Sequence, residues 1–472
     1  MGAPVTPVEG DHEYKFCRLR THPPGACDHN SPVPFVVRAI AMVGALSLVS
    51  VASCSRGGGV VMTAANTIRI GVDLPLTGAE GQAGMPALNG VRFFVAHHPT
   101  VDGFNVVVSA RDDAVNGVSE PLLGAGNVQA FIADPQVLGM IGPFDSSAAR
   151  AEIPVANQAH LAMLSPATSS RCLTKEPFLL AALNRSRVEI SCANAGQPSP
   201  KELRPSGVNN FFRLATTDDL QGPAAADFGY RNLHLLRVAV LSDHEAYGQA
   251  LANSFAERFV HLGGSVVTQL DYTPSAKVDV TAFMQQAKKE GAQAIYFGGV
   301  TANQGCVIRA QMASVFDTGE TTPYLGGDGI AQDPACLHDA GTNAAGIYAT
   351  VPAPNPDQLA GARAVIAAFK AEYANPADYG AYTIAAYDAT GVLYDALDRA
   401  IKATGGKLPA RDTVVAALSV TSAFQGALGT FGFDQAGDVT LRIVSIFEAT
   451  GTNPQTPWSW VHAIDYSAAL PY

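Results

Sequence analysis

The sequence predicts an α/β protein made of two doubly wound lobes, each a parallel sheet wrapped by helices. Three observations predict it. From Thr67 onward, short apolar runs alternate with amphipathic stretches, the pattern of repeated βα units. These runs outnumber the strands of one open α/β sheet, and single cores stop growing near ~250–300 residues. Two runs, Val137–Ile141 and Leu161–Leu164, stop at small hydroxyl residues: Gly142-Pro143-Phe144-Asp145-Ser146-Ser147 and Ser165-Pro166-Ala167-Thr168-Ser169. In a parallel sheet this sets hydroxyls and free N–H groups at the carboxyl edge, where small ligands bind and helix N-terminal amides favour anions. No nucleophile–base signature accompanies them. The pattern points to a site that holds a molecule.

The elements follow in order. Ile68–Leu74 reads as the first strand, then the turn Pro75-Leu76-Thr77-Gly78 and a helix with Met85, Leu88, Val91 and Val95 on one face. Phe104–Ser109 is the second strand, ending at Arg111-Asp112-Asp113, and Leu122–Ala133 is the next helix. Asp112 and Asp113 are expected to cap that helix. The serine-ended strands come after it, and residues 170–212, with little periodicity, read as an excursion on the rim of the first lobe. A second series begins past Phe211-Phe212-Arg213: strands at Arg237–Leu241, Ser265–Leu270, Ala294–Phe297, Tyr324–Leu325 and Gly346–Val351, with a helix at Val280–Lys289. Leu251, Phe255, Phe259 and Leu262 form a helical core stripe, as do Ile384, Tyr387, Gly391, Tyr394, Leu397 and Ile401. Chain crossings between lobes are expected near Thr216-Asp218-Asp219 and in the Pro-rich stretch 352–356, which makes the first lobe discontinuous.

The N-terminus has a different character. Residues 1–35 are Pro-, His- and charge-rich and are expected to be an unstructured or untranslated extension. Arg38, the apolar run Ala39–Val51 and Val51-Ala52-Ser53-Cys54 match a secretory signal, too short for a lasting membrane span. Small residues ending in Cys resemble the bacterial lipobox, so 36–54 is read as a lipoprotein signal peptide with Cys54 lipidated. The alternative is an ordinary signal with a chance cysteine. Residues 55–66 form a Gly/Ser-rich tether. Export places the other cysteines in a disulfide-permissive compartment. Setting aside Cys17, Cys27 and Cys54 leaves four, which allow three pairings; the sequence-local one, Cys172–Cys192 and Cys306–Cys336, is expected. No Cys-x-x-Cys or metal-spaced His set occurs, so no metal or cofactor is expected. The 41 Asp and Glu against 30 Lys and Arg give a net charge of −11. That argues against nucleic acid, whose phosphates need clustered cations.

The ordered series of short motifs resembles the type I periplasmic binding proteins, specifically the leucine/isoleucine/valine-binding and related amide- and amino-acid-binding receptors of ABC importers. It runs through Ile70-Gly71…Pro75-Leu76-Thr77-Gly78, Asp112-Asp113, Ile141-Gly142-Pro143 with Ser146, and Ser165-Pro166-Ala167-Thr168-Ser169. It continues through Asn210-Phe211-Phe212-Arg213, Asp219-Leu220-Gln221-Gly222, Asp243…Tyr247-Gly248, Tyr296-Phe297-Gly298-Gly299, Gly326-Gly327-Asp328-Gly329 and Phe433-Asp434…Gly437-Asp438. The likeness covers about Thr67 to Ala449. It implies two Rossmann-like lobes joined by three crossovers, near Thr216–Asp219, Thr350–Pro354 and Leu428–Phe433. Lobe 1 is then 67–216 plus 352–428, and lobe 2 is 217–351 plus 429–472.

The resemblance also implies a division of labour. Ser146 and the segment Ala167, Thr168 and Ser169 would hold a ligand carboxylate; Tyr247 would close over it from the second lobe; Asp328 would pair with an α-ammonium. Thr301 joins the set beside Val300, where the amino-acid binders often carry an aromatic; Ala83, beside Gln82, stands where they carry a tyrosine. Plainer roles exist for each: Ser146 as a helix N-cap, Asp328 as a turn residue, Tyr247 as core.

The function implied is a lipid-anchored, extracytoplasmic solute receptor, not an enzyme. It would close on a small polar ligand, an amino acid (branched-chain or related) or an amide, and deliver it to an ABC permease. The alternatives are a ligand sensor signalling to a membrane partner and, remotely, an exported hydrolase, for which Gly-x-Ser-x-Gly is missing.

Overall fold

The computed structural model describes residues 66–472 except 177, 182–186, 194–195, 276, 318–320, 452–456, 469 and 472. Cys54, the run Ala39–Val51 and the tether up to residue 65 therefore lie outside the described residues. No helix among the described residues is long and apolar enough to cross a membrane.

Strands β1 (Thr67–Leu74), β2 (Thr100–Val101), β3 (Phe104–Asp112), β4 (Val137–Ile141), β5 (Ala162–Ser165) and β6 (Phe211–Arg213) form one sheet in the order β6-β5-β4-β1-β3-β2. All its pairings are parallel except β2 with β3. Strands β7 (Arg237–Ser242), β8 (Ser265–Asp271), β9 (Ala294–Gly298), β10 (Tyr324–Gly326), β11 (Ile347–Val351), β12 (Ile443–Ala449) and β13 (Trp458–Asp465) form the other, ordered β8-β7-β9-β10-β11-β12-β13. The first five there are parallel; β12 and β13 join antiparallel. Helices on both faces explain the apolar strands: Ile68, Ile70, Val72 and Leu74 of β1 are all wholly buried.

Counted along the chain, the parallel strands of both sheets take the same order, 2-1-3-4-5. The order reverses between β1 and β4 in one lobe and between β7 and β9 in the other. Such reversal points open a crevice at the carboxyl ends of the strands. The loops leaving β1, β4, β7 and β9 therefore supply the candidate site.

The chain crosses between the lobes three times. The first lobe is completed by helices from beyond the second crossing: Thr383–Ala403 packs on Gly81–His97 so tightly that a Cβ on Gly90 would lie 2.1 Å from the Thr383 carbonyl oxygen. Phe94 meets Tyr387 and Tyr394 edge-on in the same seam. The third crossing falls later than 428–433. Gly429–Phe431 pairs with Phe424–Gly426 in a hairpin against that first-lobe helix, and Asp438 still bridges to Arg213 beyond it. The chain then returns to add β12 and β13. Ile443–Phe447 is an apolar run in its own right, though not among the expected strands; its antiparallel place beside β11 is set by tertiary pairing.

Two further details differ from the sequence reading. The rim segment holds a hairpin, Phe178–Ala181 with Arg187–Ile190, whose strands are too short to display alternation. Asp112 and Asp113 do not cap the next helix; Glu120 does, accepting from Leu123 N–H. Asp112 instead closes the loop after β1, accepting from Leu76 N–H, the Thr77 hydroxyl and Ala114 N–H. Disulfides join Cys172 to Cys192 and Cys306 to Cys336.

The crossings are bound side by side. Thr216 donates from its N–H to Pro352 O at 2.7 Å and from its hydroxyl to Leu441 O at 2.9 Å. Just before the first crossing, wholly buried Arg213 pairs with Asp438 at 2.7 Å, and the same guanidinium donates to Ser170 O, Thr168 O and the Thr174 hydroxyl. Lys175 adds a second cation on Asp438 at 2.7 Å. Burial pushes the Asp438 carboxyl up, but Arg213 and Lys175 outweigh it and hold it at about 2. Asp438→Asn leaves the Arg213 charge buried and unpaired, and should cost about 3–5 kcal/mol at pH 7 in urea unfolding. A depressed carboxyl supplies stability in full above its unfolded value and loses it as pH falls through its folded one. The gap between wild type and variant should therefore shrink from pH 4 toward pH 2; a gap constant over that range would contradict the ion pair.

Candidate functional site

A cavity of ≈ 70 Å³ lies between the carboxyl edges of the two sheets. The first lobe contributes Glu80, Gln82 and Ala83 after β1, Phe144, Asp145 and Ser146 after β4, Ala167, Thr168 and Ser169 after β5, and Tyr382 before the helix Thr383–Ala403. The second lobe contributes Tyr247, Val300 and Thr301, and Asp328, Gly329, Ala331, Gln332 and Asp333. Ser146, Ala167, Thr168, Ser169, Tyr247, Thr301 and Asp328 thus meet in one cavity, although 182 residues separate the first from the last in the chain.

The two serine-bearing ends are fastened to each other. Ser165 Oγ donates to Pro143 O and accepts from Thr168 N–H, the Thr168 hydroxyl and, at 3.2 Å, Ala167 N–H. Both Thr168 donors are therefore engaged in shaping the loop. Ser146 is the first residue of its helix, with Asp145 at the N-cap position, and Ser146 Oγ accepts from Ser170 N–H at 3.2 Å. Arg213 holds the Thr168 and Ser170 carbonyls from behind, so the ion pair at the crossing also shapes this wall.

Asp328 is the meeting point of the lobes. Its Oδ1 accepts from Gln221 Nε2 at 2.7 Å and from the Tyr247 hydroxyl at 2.8 Å, and its Oδ2 accepts from the Tyr382 hydroxyl of the first lobe. Tyr247 Oη also accepts from Gly329 N–H at 3.1 Å. Its hydroxyl thus braces the Asp328 loop, leaving the ring to cover the cavity. Gly327 permits this: a Cβ there would stand 2.3 Å from Tyr247 Oη. Thr301 donates to Gly329 O from its N–H and its hydroxyl, bracing the same loop. Burial raises the Asp328 carboxyl, and the three side-chain donors work against that rise. A carboxylate has about four acceptor positions; three taken leave room for one further donor.

Four contributors are not singled out by the sequence: Glu80, Asp145, Asp333 and Tyr382. Asp145 stands inside one of the serine-bearing strand ends, but its type suggests only a helix cap. Tyr382 lies just ahead of the helical stripe that begins at Ile384, and nothing local announces its bond to Asp328. Burial, opposed by the Ser119 N–H and reinforced by the charges of Asp113, Asp243 and Glu245, lifts Glu80 to about 7.

Within the first lobe, Asp73, Asp113 and Glu152 bring carboxylate oxygens within 4.8 Å of one another, a grouping of metal-ligating type that the sequence does not reveal. All three are wholly buried. Burial, followed by the neighbouring acids, raises Asp73 to about 8 and Glu152 well above its usual range, while burial lifts Asp113 to about 7. The trio is accordingly a proton-sharing cluster near neutrality, with Asn127 donating to Asp73.

The comparisons with known proteins agree with this architecture. The family model described as "Periplasmic binding protein" matches residues 67–453. The chain belongs to that family, and within it to the type I, leucine/isoleucine/valine-binding kind. It is 30% identical over 247 residues to Leu/Ile/Val-binding protein homolog 3 of Brucella melitensis, a match spanning 52% of this chain and 63% of that one. It is 26% identical over 388 residues to the Leu/Ile/Val-binding protein BraC3 of Rhizobium johnstonii, across 81% and 91% of the two chains. The leucine binding protein LivK of Thermotoga maritima superposes with a TM-score of 0.68 at 25% identity, covering 84% of this chain and 99% of that one. A Rhodopseudomonas palustris solute binding protein in complex with 4-hydroxybenzoate superposes at 0.66 and 18% identity, over 84% and 97%, a likeness of fold alone.

Carboxyls raised in the fold supply stability below their unfolded values and lose it as pH rises through the folded ones. Wild-type melting temperature should therefore fall as pH climbs from about 4 to about 8 and level off above the Asp113 and Asp73 values of about 7 and about 8. Glu152→Gln should flatten that decline; an unchanged pH profile would remove the proton-sharing account.

Proposed function

We propose that this chain is the extracytoplasmic solute receptor of an ABC importer, anchored through Cys54, that closes its lobes on a small polar ligand of the amino-acid or amide class. One observation carries the reading. Ser146 and Ser169 of one lobe line a cavity whose opposite wall holds Asp328 with an acceptor position to spare. A zwitterion needs donors at one end and an anion at the other. The side-by-side crossings supply the hinge, and hinged closure around a ligand is the general motion of periplasmic binding proteins. Among the described residues the cavity walls contain no His, Lys or Cys, and their titratable side chains are the carboxyls of Glu80, Asp145, Asp328 and Asp333 with the phenols of Tyr247 and Tyr382. The names of the relatives support the class: one Pseudomonas aeruginosa relative is named for binding leucine, isoleucine, valine, threonine and alanine.

The test is thermal-shift and calorimetric screening of the mature chain against amino acids, amides and small carboxylates. A ligand at 100 times its Kd stabilises the native state by about 2.7 kcal/mol, a shift readily seen. Compounds with both a free α-amine and a carboxylate should bind, and Asp328→Asn should weaken them at least about tenfold, the loss of one charge-assisted bond. Carboxylates without an amine that bind equally well, and to both proteins, would overturn the clamp.

A further inference from the structure

The walls of the cavity carry an unbalanced charge. Glu80, Asp145, Asp328 and Asp333 line it, and no Lys, Arg or His does. An α-ammonium paired with Asp328 and a carboxylate held by the serines would leave that imbalance untouched. Beside it lies a second cavity of ≈ 250 Å³ that shares the walls Glu80, Asp145, Tyr247 and Val300. Asp243 and Glu245 are added there, with Ser119 and Asn303, and again no cation. Arg150, one turn along the helix Ser146–Gln158, is the cation whose charge reaches Glu245, and it lines neither space.

Asp145 is the residue that separates this from a merely acidic surface. It occupies the N-cap position of the helix Ser146–Gln158, where an aspartate normally accepts a hydrogen bond from the first turn. Here the side chain makes no such bond. Its Oδ2 is buried without any hydrogen-bonding partner, and the residue lines both cavities. A buried carboxylate oxygen left unmatched is costly, and an incoming cation with N–H donors removes the cost. An aliphatic side chain in the same place would bury the carboxylates further without pairing them. Asp243, by contrast, is already engaged, accepting from Asn303 Nδ2 at 2.9 Å and from Val300 N–H.

We infer that the ligand is an amino acid whose side chain ends in a second cation, an ammonium or guanidinium, received between Glu80 and Asp145. This rests on the solute-receptor reading above and narrows it. Asp328 then takes the α-ammonium, the serine ends take the carboxylate, and the small residues Ala83 and Val300 leave the passage for the side chain. Burial and the surrounding acids push Asp145 well above the ordinary carboxyl range, and a cation placed against it would favour its ionised form.

The experiment is calorimetry of the mature chain with L-lysine, L-ornithine and L-arginine against L-norleucine, L-leucine and L-citrulline, uncharged partners of similar size. The basic amino acids should bind at least a hundredfold tighter. Asp145→Asn and Glu80→Gln should each reduce that preference tenfold or more; the lysine–norleucine comparison needs no variant, should either fail to fold. L-leucine binding as tightly as L-lysine would overturn the inference and leave the amino-acid reading standing. Cadaverine or agmatine binding where no amino acid does would keep the cationic subsite and overturn the zwitterion clamp. No binding by any of these compounds would overturn both.

Discussion

The pairing of Arg213 with Asp438 is the constraint on which the rest of the molecule depends. Two groups far apart in sequence meet at 2.7 Å in a place closed to water, where neither is tolerated alone. One guanidinium satisfies three needs: it neutralises Asp438, fixes the approach to the first and third crossings, and holds the carbonyls of Thr168 and Ser170. The hinge and the ligand-facing loop are therefore positioned by the same side chain. That economy matters in a protein expected to move. The loop is anchored within its own lobe, beside the crossings, by Arg213 holding the Thr168 and Ser170 carbonyls.

Across the cleft, Asp328 plays the reciprocal part. Donors from both lobes converge on it, Tyr247 and Gln221 from one side and Tyr382 from the other. Contact between lobes thus passes through the same carboxylate that would receive a ligand amine. Under the proposed reading, a ligand nitrogen would add a donor to an anion that already accepts from both lobes. Excluding water strengthens every one of these bonds.

The electrostatic character of the cavity has no counterpart in overall composition. A net charge of −11 describes a soluble surface as readily as a functional one. The informative quantity is local: acids from the β1, β4, β7 and β10 loops line two adjoining spaces, and among the described residues no cation lines either. Burial then makes Glu80 and Asp145 resist ionisation, and repulsion from neighbouring acids adds to the effect. Such groups are destabilising in isolation, which is the physical ground for reading them as complementary to a positive ligand.

Much was legible in the chain alone. Apolar runs of strand length separated by helical stripes specify α/β architecture, because hydrophobic burial has the period of the element that achieves it. The two serine-bearing ends with Ser146 and Ser169 were legible because the carboxyl ends of parallel strands collect site residues, whereas Tyr247 and Asp328 were candidates only through the family resemblance. What tertiary structure alone decided is which distant residues become neighbours. Nothing near Arg213 announces Asp438, nothing near Tyr382 announces Asp328, and β12 and β13 find their sheet only after the third crossing. Asp145 shows the limit most clearly. Its local sequence calls for a helix cap, and only the packed cleft, by leaving one of its oxygens buried without a partner, turns it into a candidate ligand contact.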